Sequence, residues 1–269
     1  MSEDFKSIYR LINYLGYQIE CFSEIDSTNL EAIRRAKSKG IDNKGLVLVA
    51  DWQAQGRGRW GRSWQAEPKS SLLASVLVKP ELDLKYLGLA PLSAGLAMAE
   101  ALQGLSGFEP GLVWPNDLYG KKGKIAGILV ESVLEGGELK FLVIGSGVNL
   151  LQKKTDFPEE FRAKASSLVE EGAKKINREE LLYQYLFRLD FWKEQLKAQN
   201  YQSLIEHYSR YDIIKEKEIK VFRDNLQITG TAMGIDPEGR LRVKIKGKEL
   251  LFNAGEVRMI REDNDAFGD

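Results

Sequence analysis

Gly45–Ala50 and Ser71–Val78 are short apolar runs rich in β-branched side chains, bounded by Gly, Lys and Pro. Runs of this length and character read as buried strands. Buried strands with helix signals between them read as an α+β domain, a mixed sheet flanked by helices. Ile125–Val133 and Leu139–Ile144 form a hairpin pair through Leu134-Glu135-Gly136-Gly137-Glu138. Helix signals lie between the strands. Thr28-Asn29-Leu30-Glu31 opens one helix and Leu92–Leu105 carries another. Asn177-Arg178-Glu179-Glu180 starts a third that runs to Gln199. Along it Leu181, Tyr185, Leu189, Trp192 and Leu196 recur every three or four residues, a single stripe against a core. From residue 215 the pattern changes to short alternating strands: Glu218–Phe222, Gln227–Met233, Leu241–Ile245 and Glu249–Phe252. The chain therefore divides into a unit over 1–214, a small all-β module over 215–262, and a tail, Asp263–Asp269, expected to be disordered.

Lys+Arg and Asp+Glu both number 39, so net charge gives no general affinity for nucleic acid or acidic membranes. One cysteine, Cys21, forbids an intramolecular disulfide and points to a reducing compartment. One histidine, His207, removes zinc sites built from Cys and His, and Ser-His-Asp or Cys-His catalysis unless His207 itself serves. The longest uncharged stretch, Tyr86–Ala99, has 14 residues, short of the ~20 that span a bilayer. No secretory signal opens the chain, and the expected location is the cytoplasm.

Gly56-Arg57-Gly58-Arg59-Trp60-Gly61-Arg62 follows the strand that ends near Ala50. Its glycines let backbone N–H groups approach an anion, and its arginines add forked cations that fit carboxylate or phosphate. By itself the stretch fits a solvated basic loop equally well. Three glycines and three mutually repelling arginines also give it little reason to order alone.

Four blocks in order resemble the biotin protein ligases (biotin–[acetyl-CoA carboxylase] ligases). Glu24-Ile25-Asp26-Ser27-Thr28-Asn29 is similar to the family's EIDSTN segment, and GRGRWGRSW over 56–64 to its GRGRxGRxW signature. Trp114-Pro115-Asn116-Asp117-Leu118 followed by Lys124-Ile125-Ala126-Gly127-Ile128-Leu129-Val130-Glu131 resembles WPNDL…K-[IL]-AGIL-[VI]-E. Gly145-Ser146-Gly147-Val148-Asn149 resembles GxG-[IV]-N. The resemblance covers residues 20 to 260.

It implies an α+β fold, a mixed sheet flanked by helices like that of class II synthetases, followed by an SH3-like barrel. It implies ATP-dependent activation of biotin to biotinyl-5′-adenylate, then transfer to a lysine of a biotin carboxyl carrier protein such as that of acetyl-CoA carboxylase. Lys124 and Arg59 are the implied catalytic cations, offsetting charge where two anions meet. Ser27, Thr28 and Asn29, most simply a helix N-cap, would also hydrogen-bond the ureido ring, with Gln53 offering a matching amide. Gly56, Arg57, Gly58 and Gly127 complete the implied biotin site. For ATP the candidates are Arg57, Arg59, Asn116, Asp117, Lys124, Trp64 as a stacking platform and Asn149 at the adenine edge. Trp64 reads as well as a core tryptophan, and Asn116-Asp117 as an ordinary turn. Asp117 is the candidate Mg²⁺ ligand.

Two positions depart from the family: Val113 stands where Lys often precedes WPND, and Trp60 where arginine is common. Some members carry an N-terminal helix-turn-helix; the roughly 20 residues before the first matched strand are too few for one, so specific DNA binding is not expected. The oligomeric state stays open, a homodimer included. Two rivals remain. A lipoate ligase or octanoyl transferase would show a different, His-containing Gly-rich signature. A biotin-sensing or nucleic-acid-binding module would not release pyrophosphate.

Overall fold

The computed structural model describes residues 5, 7–39, 45–223, 226–253 and 256–259. A short helix α1 (Tyr9–Tyr14) leads into β1 (Tyr17–Ile25), α2 (Thr28–Lys39), β2 (Gly45–Gln53) and β3 (Ser71–Val78). Then come α3 (Leu89–Ser106), β4 (Gly111–Val113), β5 (Asp117–Tyr119), β6 (Lys124–Glu135) and β7 (Glu138–Asn149). The first unit closes with α4 (Glu159–Arg162), α5 (Arg178–Lys197) and α6 (Tyr201–Tyr211). The seven strands form one mixed sheet in the order β1-β2-β3-β7-β6-β5-β4. Only β1 and β2 run parallel; the other neighbours are antiparallel.

Alternation along the strands assigns the two faces. Leu72, Ala74 and Val76 of β3, with Ile144 and Val148 of β7, join α3 and α5 in the main core. Leu77, Leu48 and Val143 face the other way and pack with Ala32 and Ala36 of α2 in a smaller cluster. The sheet is thus covered by α1, α3, α5 and α6 on one side and by α2 on the other, the α+β arrangement expected from the sequence. α3 is longer than the Leu92–Leu105 reading because Pro91 sits in its first turn, where a missing N–H costs nothing. Asn177 Oδ1 caps α5 by accepting from Glu179 N at 2.8 Å. α6 went unread, since it buries only Leu204 and Tyr208. His207 lies on it, edge-on to Trp192 at 5.1 Å, as a packing residue.

The module after residue 215 is a five-stranded antiparallel sheet in the order β11-β10-β9-β8-β12. Its strands are β8 (Glu218–Arg223), β9 (Leu226–Ile235), β10 (Leu241–Ile245), β11 (Lys248–Phe252) and β12 (Glu256–Met259). The sequence reading lacked β12. The expected tail 263–269 lies outside the described residues. The module docks through the turn between β9 and β10. There Trp114 Nε1 donates to Gly239 O at 2.9 Å, and a Cβ on Gly239 would stand 2.7 Å from Gly88 C. Among the described residues no helix is long and apolar enough to cross a membrane.

Asp212, at the exit of α6, accepts from Ile214 N at 3.0 Å and Lys215 N at 3.2 Å, and burial pushes its carboxyl up to about 6. An unfolded Asp titrates near ~3.9, so the folded state holds this proton more tightly. The stability it brings is present below about pH 4 and is lost as pH rises through about 6. Asp212→Asn keeps an acceptor for both amides and removes the buried charge. The variant is expected to be more stable than the parent by about 1–3 kcal/mol at pH 7.5, with the gain gone at pH 4. Thermal unfolding at the two pH values checks this; an equal effect at both would contradict it.

Candidate active site

On the α2 side of the sheet, beyond the start of that helix, three glycines strip the floor bare. Gly127 and Gly147 are cross-strand partners in β6 and β7, and Gly145 is two residues earlier on the same side. A methyl group on Gly145 would stand 2.1 Å from Asn29 Oδ1, and one on Gly147 2.5 Å from the Trp64 ring. One on Gly127 would meet Trp64 at 3.2 Å and Lys124 Nζ at 3.3 Å. The glycines let side chains from other elements lie directly on the sheet.

One end of this floor is a buried polar cluster. Gln53 Oε1 accepts from Thr28 N at 2.7 Å and from Thr28 Oγ1 at 3.0 Å. Ser75 Oγ, on β3, is 2.7 Å from Thr28 Oγ1 and 2.5 Å from Asn29 Oδ1. Ser27, Thr28, Asn29 and Ser75 are all at most 4 % exposed. Ser27 occupies the N-cap position, its O accepting from Glu31 N at 3.0 Å, and the N-cap reading needs correcting only for the two residues after it. The side chains of Thr28 and Asn29 are turned to the sheet, and Gln53, from β2, takes the first amide of α2. Asp26, two residues before α2, is held below the usual carboxylate range by hydrogen bonds from Arg34.

The other end is charged. Lys124, the first residue of β6, is fixed on both sides of its peptide: its N donates to Lys164 O and its O accepts from Ser166 N, each at 2.8 Å. Its ammonium is 2.8 Å from Asp117 Oδ1 and 5.7 Å from the Trp64 ring centre. Arg59 Nη1 donates to Asn116 Oδ1 at 3.2 Å, and Asn116 Nδ2 donates to Ile128 O at 2.8 Å.

The Gly/Arg stretch folds back on itself as a hairpin. Gly58 N donates to Arg62 O at 2.7 Å and Trp64 N to Gly56 O at 2.9 Å, with a bridge between Arg57 and Ser63. A Cβ on Gly56 would lie 2.2 Å from Trp64 O, so this close approach requires glycine. Trp60 sits at the tip with φ 58° and is 63 % exposed. The hairpin sends its arginines apart: Arg59 to Asn116 at the charged end, Arg57 to Glu131 at 3.0 Å beside the polar cluster. Trp64 lies between the two ends. Asn149 is buried, with Nδ2 donating to Ser166 O at 3.0 Å and Oδ1 facing Gln152 Nε2 at 3.3 Å. An adenine amino group reaching that Oδ1 would share it with Gln152. Among the described residues no group of three or more His, Cys, Asp or Glu could hold a metal. Asp117 is a single carboxylate already shared with Lys124.

Sequence reasoning missed Ser75 and assigned no role to Glu131. A serine inside the otherwise apolar run Leu72–Val78 was the one available signal for the first.

Comparison with known proteins matches residues 22–149 to the biotin/lipoate A/B protein ligase family and residues 216–260 to the biotin protein ligase C terminal domain. A biotin–[acetyl-CoA-carboxylase] ligase of Mycobacterium tuberculosis is 32 % identical over 248 residues, 91 % of this chain and 90 % of that protein. The bifunctional ligase/repressor BirA of Escherichia coli is 28 % identical over 91 % of this chain and 74 % of its own length. The biotin protein ligase of Aquifex aeolicus, solved in complex with biotin and ATP, superposes with a TM-score of 0.77. It is 29 % identical, over 91 % of this chain and 99 % of that one.

Proposed function

Because this chain belongs to the biotin/lipoate A/B protein ligase family, we propose that it is a biotin–protein ligase. It joins biotin to ATP as biotinyl-5′-adenylate with release of pyrophosphate, then passes the biotinyl group to a lysine of a biotin carboxyl carrier protein. One observation carries the reading. A polar cluster (buried Thr28, Asn29 and Ser75 with half-buried Gln53) and a cationic end (Lys124, Arg59) share one glycine floor. A ureido ring needs a set of amide and hydroxyl partners, and an activated carboxylate needs cations; a dithiolane ring would have no use for the first.

In this reading the ring of biotin meets Thr28, Asn29 and Gln53, and its alkyl chain runs beside Trp64. Trp64 then serves as a wall for that chain rather than as the adenine platform its sequence context suggests, because it stands between the two ends on Gly127 and Gly147. The carboxylate arrives at Lys124 and Arg59 and attacks the α-phosphate of ATP. The ammonium and the guanidinium offset the charge that accumulates there, and pyrophosphate leaves. Asp117 would be the protein ligand for a Mg²⁺ ion accompanying the nucleotide, since one carboxylate suffices for an ion that keeps its waters, and the ion would offset phosphate charge there. Asn116 and Asn149 are the candidates for the rest of the nucleotide. In the second step the carrier lysine attacks the acyl carbon of the mixed anhydride, and AMP departs. Specific DNA binding is not part of this reading, and the homodimer stays open.

Pyrophosphate release from ATP should require biotin. Release independent of biotin, or none with both substrates present, would contradict the assignment.

Arg59→Ala removes a forked cation that can hold the carboxylate before reaction and the phosphate afterwards. Loss of one such charge-assisted bond costs roughly 1.5–3 kcal/mol, or about 10- to 150-fold in affinity. The variant is expected to bind biotin more weakly and to leak adenylate that labels lysines of a bystander protein. Tight biotin binding without such labelling would remove Arg59 from the site.

A further inference from the structure

Glu131 stands between the two arginine-bearing and amide-bearing parts of the cleft and uses both carboxylate oxygens. Oε1 is 3.0 Å from Arg57 Nη1, and Oε2 accepts from Asn29 Nδ2 at 2.8 Å. Asn29 can present its amide in only one sense, since its Oδ1 lies against Ser75 Oγ and its Nδ2 against Glu131 and Leu129 O. The same carboxylate tethers the first arginine of the hairpin to β6. One side chain thus sets the orientation of a ring-binding amide and the seat of the hairpin whose next arginine, Arg59, reaches Asn116. The Arg57–Glu131 pair is partly exposed, with the two side chains 41 % and 22 % accessible, so it acts as a releasable latch and not as a buried staple.

We propose that Glu131 is a positioning residue that latches the Gly56–Arg62 hairpin, through Arg57, to the amide that reads the ring of the substrate. The coupling of the two halves rests on the biotin reading; the latch itself does not. Two substitutions separate the contributions. Glu131→Gln retains an oxygen for Asn29 Nδ2 but cannot neutralise Arg57. Glu131→Ala removes both contacts.

The experiment has two arms, on folded variants with thermal unfolding close to the parent's. In the first, the ligand-free protein is treated with trypsin and cleavage after Arg57, Arg59 and Arg62 is timed. Both variants should be cut ~3–5-fold faster than the parent, the factor a partly exposed ion pair supplies. In the second, biotin-dependent pyrophosphate release is measured. Glu131→Gln should keep the KM for biotin within ~2-fold while kcat falls by a similar ~3–5-fold; Glu131→Ala should raise KM as well. Cleavage of Glu131→Gln at the parental rate overturns the latch. Equal changes of KM and kcat in the Gln and Ala variants overturn the coupling, because the contact to Asn29, which only the Ala variant loses, would then add nothing. If the parent itself releases no biotin-dependent pyrophosphate, the ligase reading fails, and the trypsin arm still decides the latch.

Discussion

Lys124→Ala is expected to slow biotin-dependent pyrophosphate release by about 10²–10³-fold, the usual effect of removing one electrostatic donor from a developing charge. The expectation follows from how the ammonium is held. Backbone bonds to Lys164 and Ser166 fix the Cα of Lys124, and Asp117 draws its tip to 2.8 Å. The ammonium that meets biotin's carboxylate on binding also faces the charge that develops at the α-phosphate, so the loss is expected in kcat and, more strongly, in kcat/KM for biotin. Folding should change far less. The Lys124–Asp117 pair is partly exposed, with accessibilities of 31 % and 24 %, and such pairs contribute about 1 kcal/mol or less. A rate within about threefold of the parent would remove Lys124 from the chemistry. A collapse of stability would mean that its role is structural.

The largest effect on stability is expected from Asp51→Ala. Asp51 ends the buried part of β2, and its Oδ1 accepts from Arg178 Nη2, in the first turn of α5, at 2.7 Å. The two side chains are 8 % and 9 % exposed. The Arg178 guanidinium also lies 5.5 Å from the ring of Phe5. Removing the carboxylate leaves a buried guanidinium without that counter-charge, which typically costs about 3–5 kcal/mol. In a chain of this size that corresponds to a fall in Tm of roughly 10 °C. Adding Arg178→Met should recover much of the loss, because the strain lies in the stranded charge and not in a missing attraction. Denaturant unfolding of the single and double variants measures both effects. A single variant within about 1 kcal/mol of the parent would show that the pair is neutral.

The elements that the sequence announces are those stabilised locally. The β6–β7 hairpin shows itself through Gly136 and Gly137, both at positive φ. α5 shows itself through the Asn177 cap and a full apolar stripe. α6 and β12 depend on partners elsewhere in the chain: α6 buries only two side chains, and β12 pairs with β8 across the whole module. The site divides in the same way. Glycines and cations clustered in short motifs mark the cleft, and Lys124, Asp117, Arg59 and Asn116 do converge at one end of it. The pairing of Asp117 with Lys124, the divergence of Arg57 from Arg59 and the roles of Ser75 and Glu131 were not legible. These contacts join residues from different strands, and only the register of the sheet brings them together.

The most direct test of the account mixes the protein with biotin, ATP, Mg²⁺ and an unmodified biotin carboxyl carrier domain, and follows the carrier by mass spectrometry. The account predicts the gain of one biotinyl group on a single carrier lysine, dependent on ATP and strongly slowed by Lys124→Ala. A carrier that stays unmodified while the protein turns over biotin and ATP would contradict it, as would modification that proceeds without ATP.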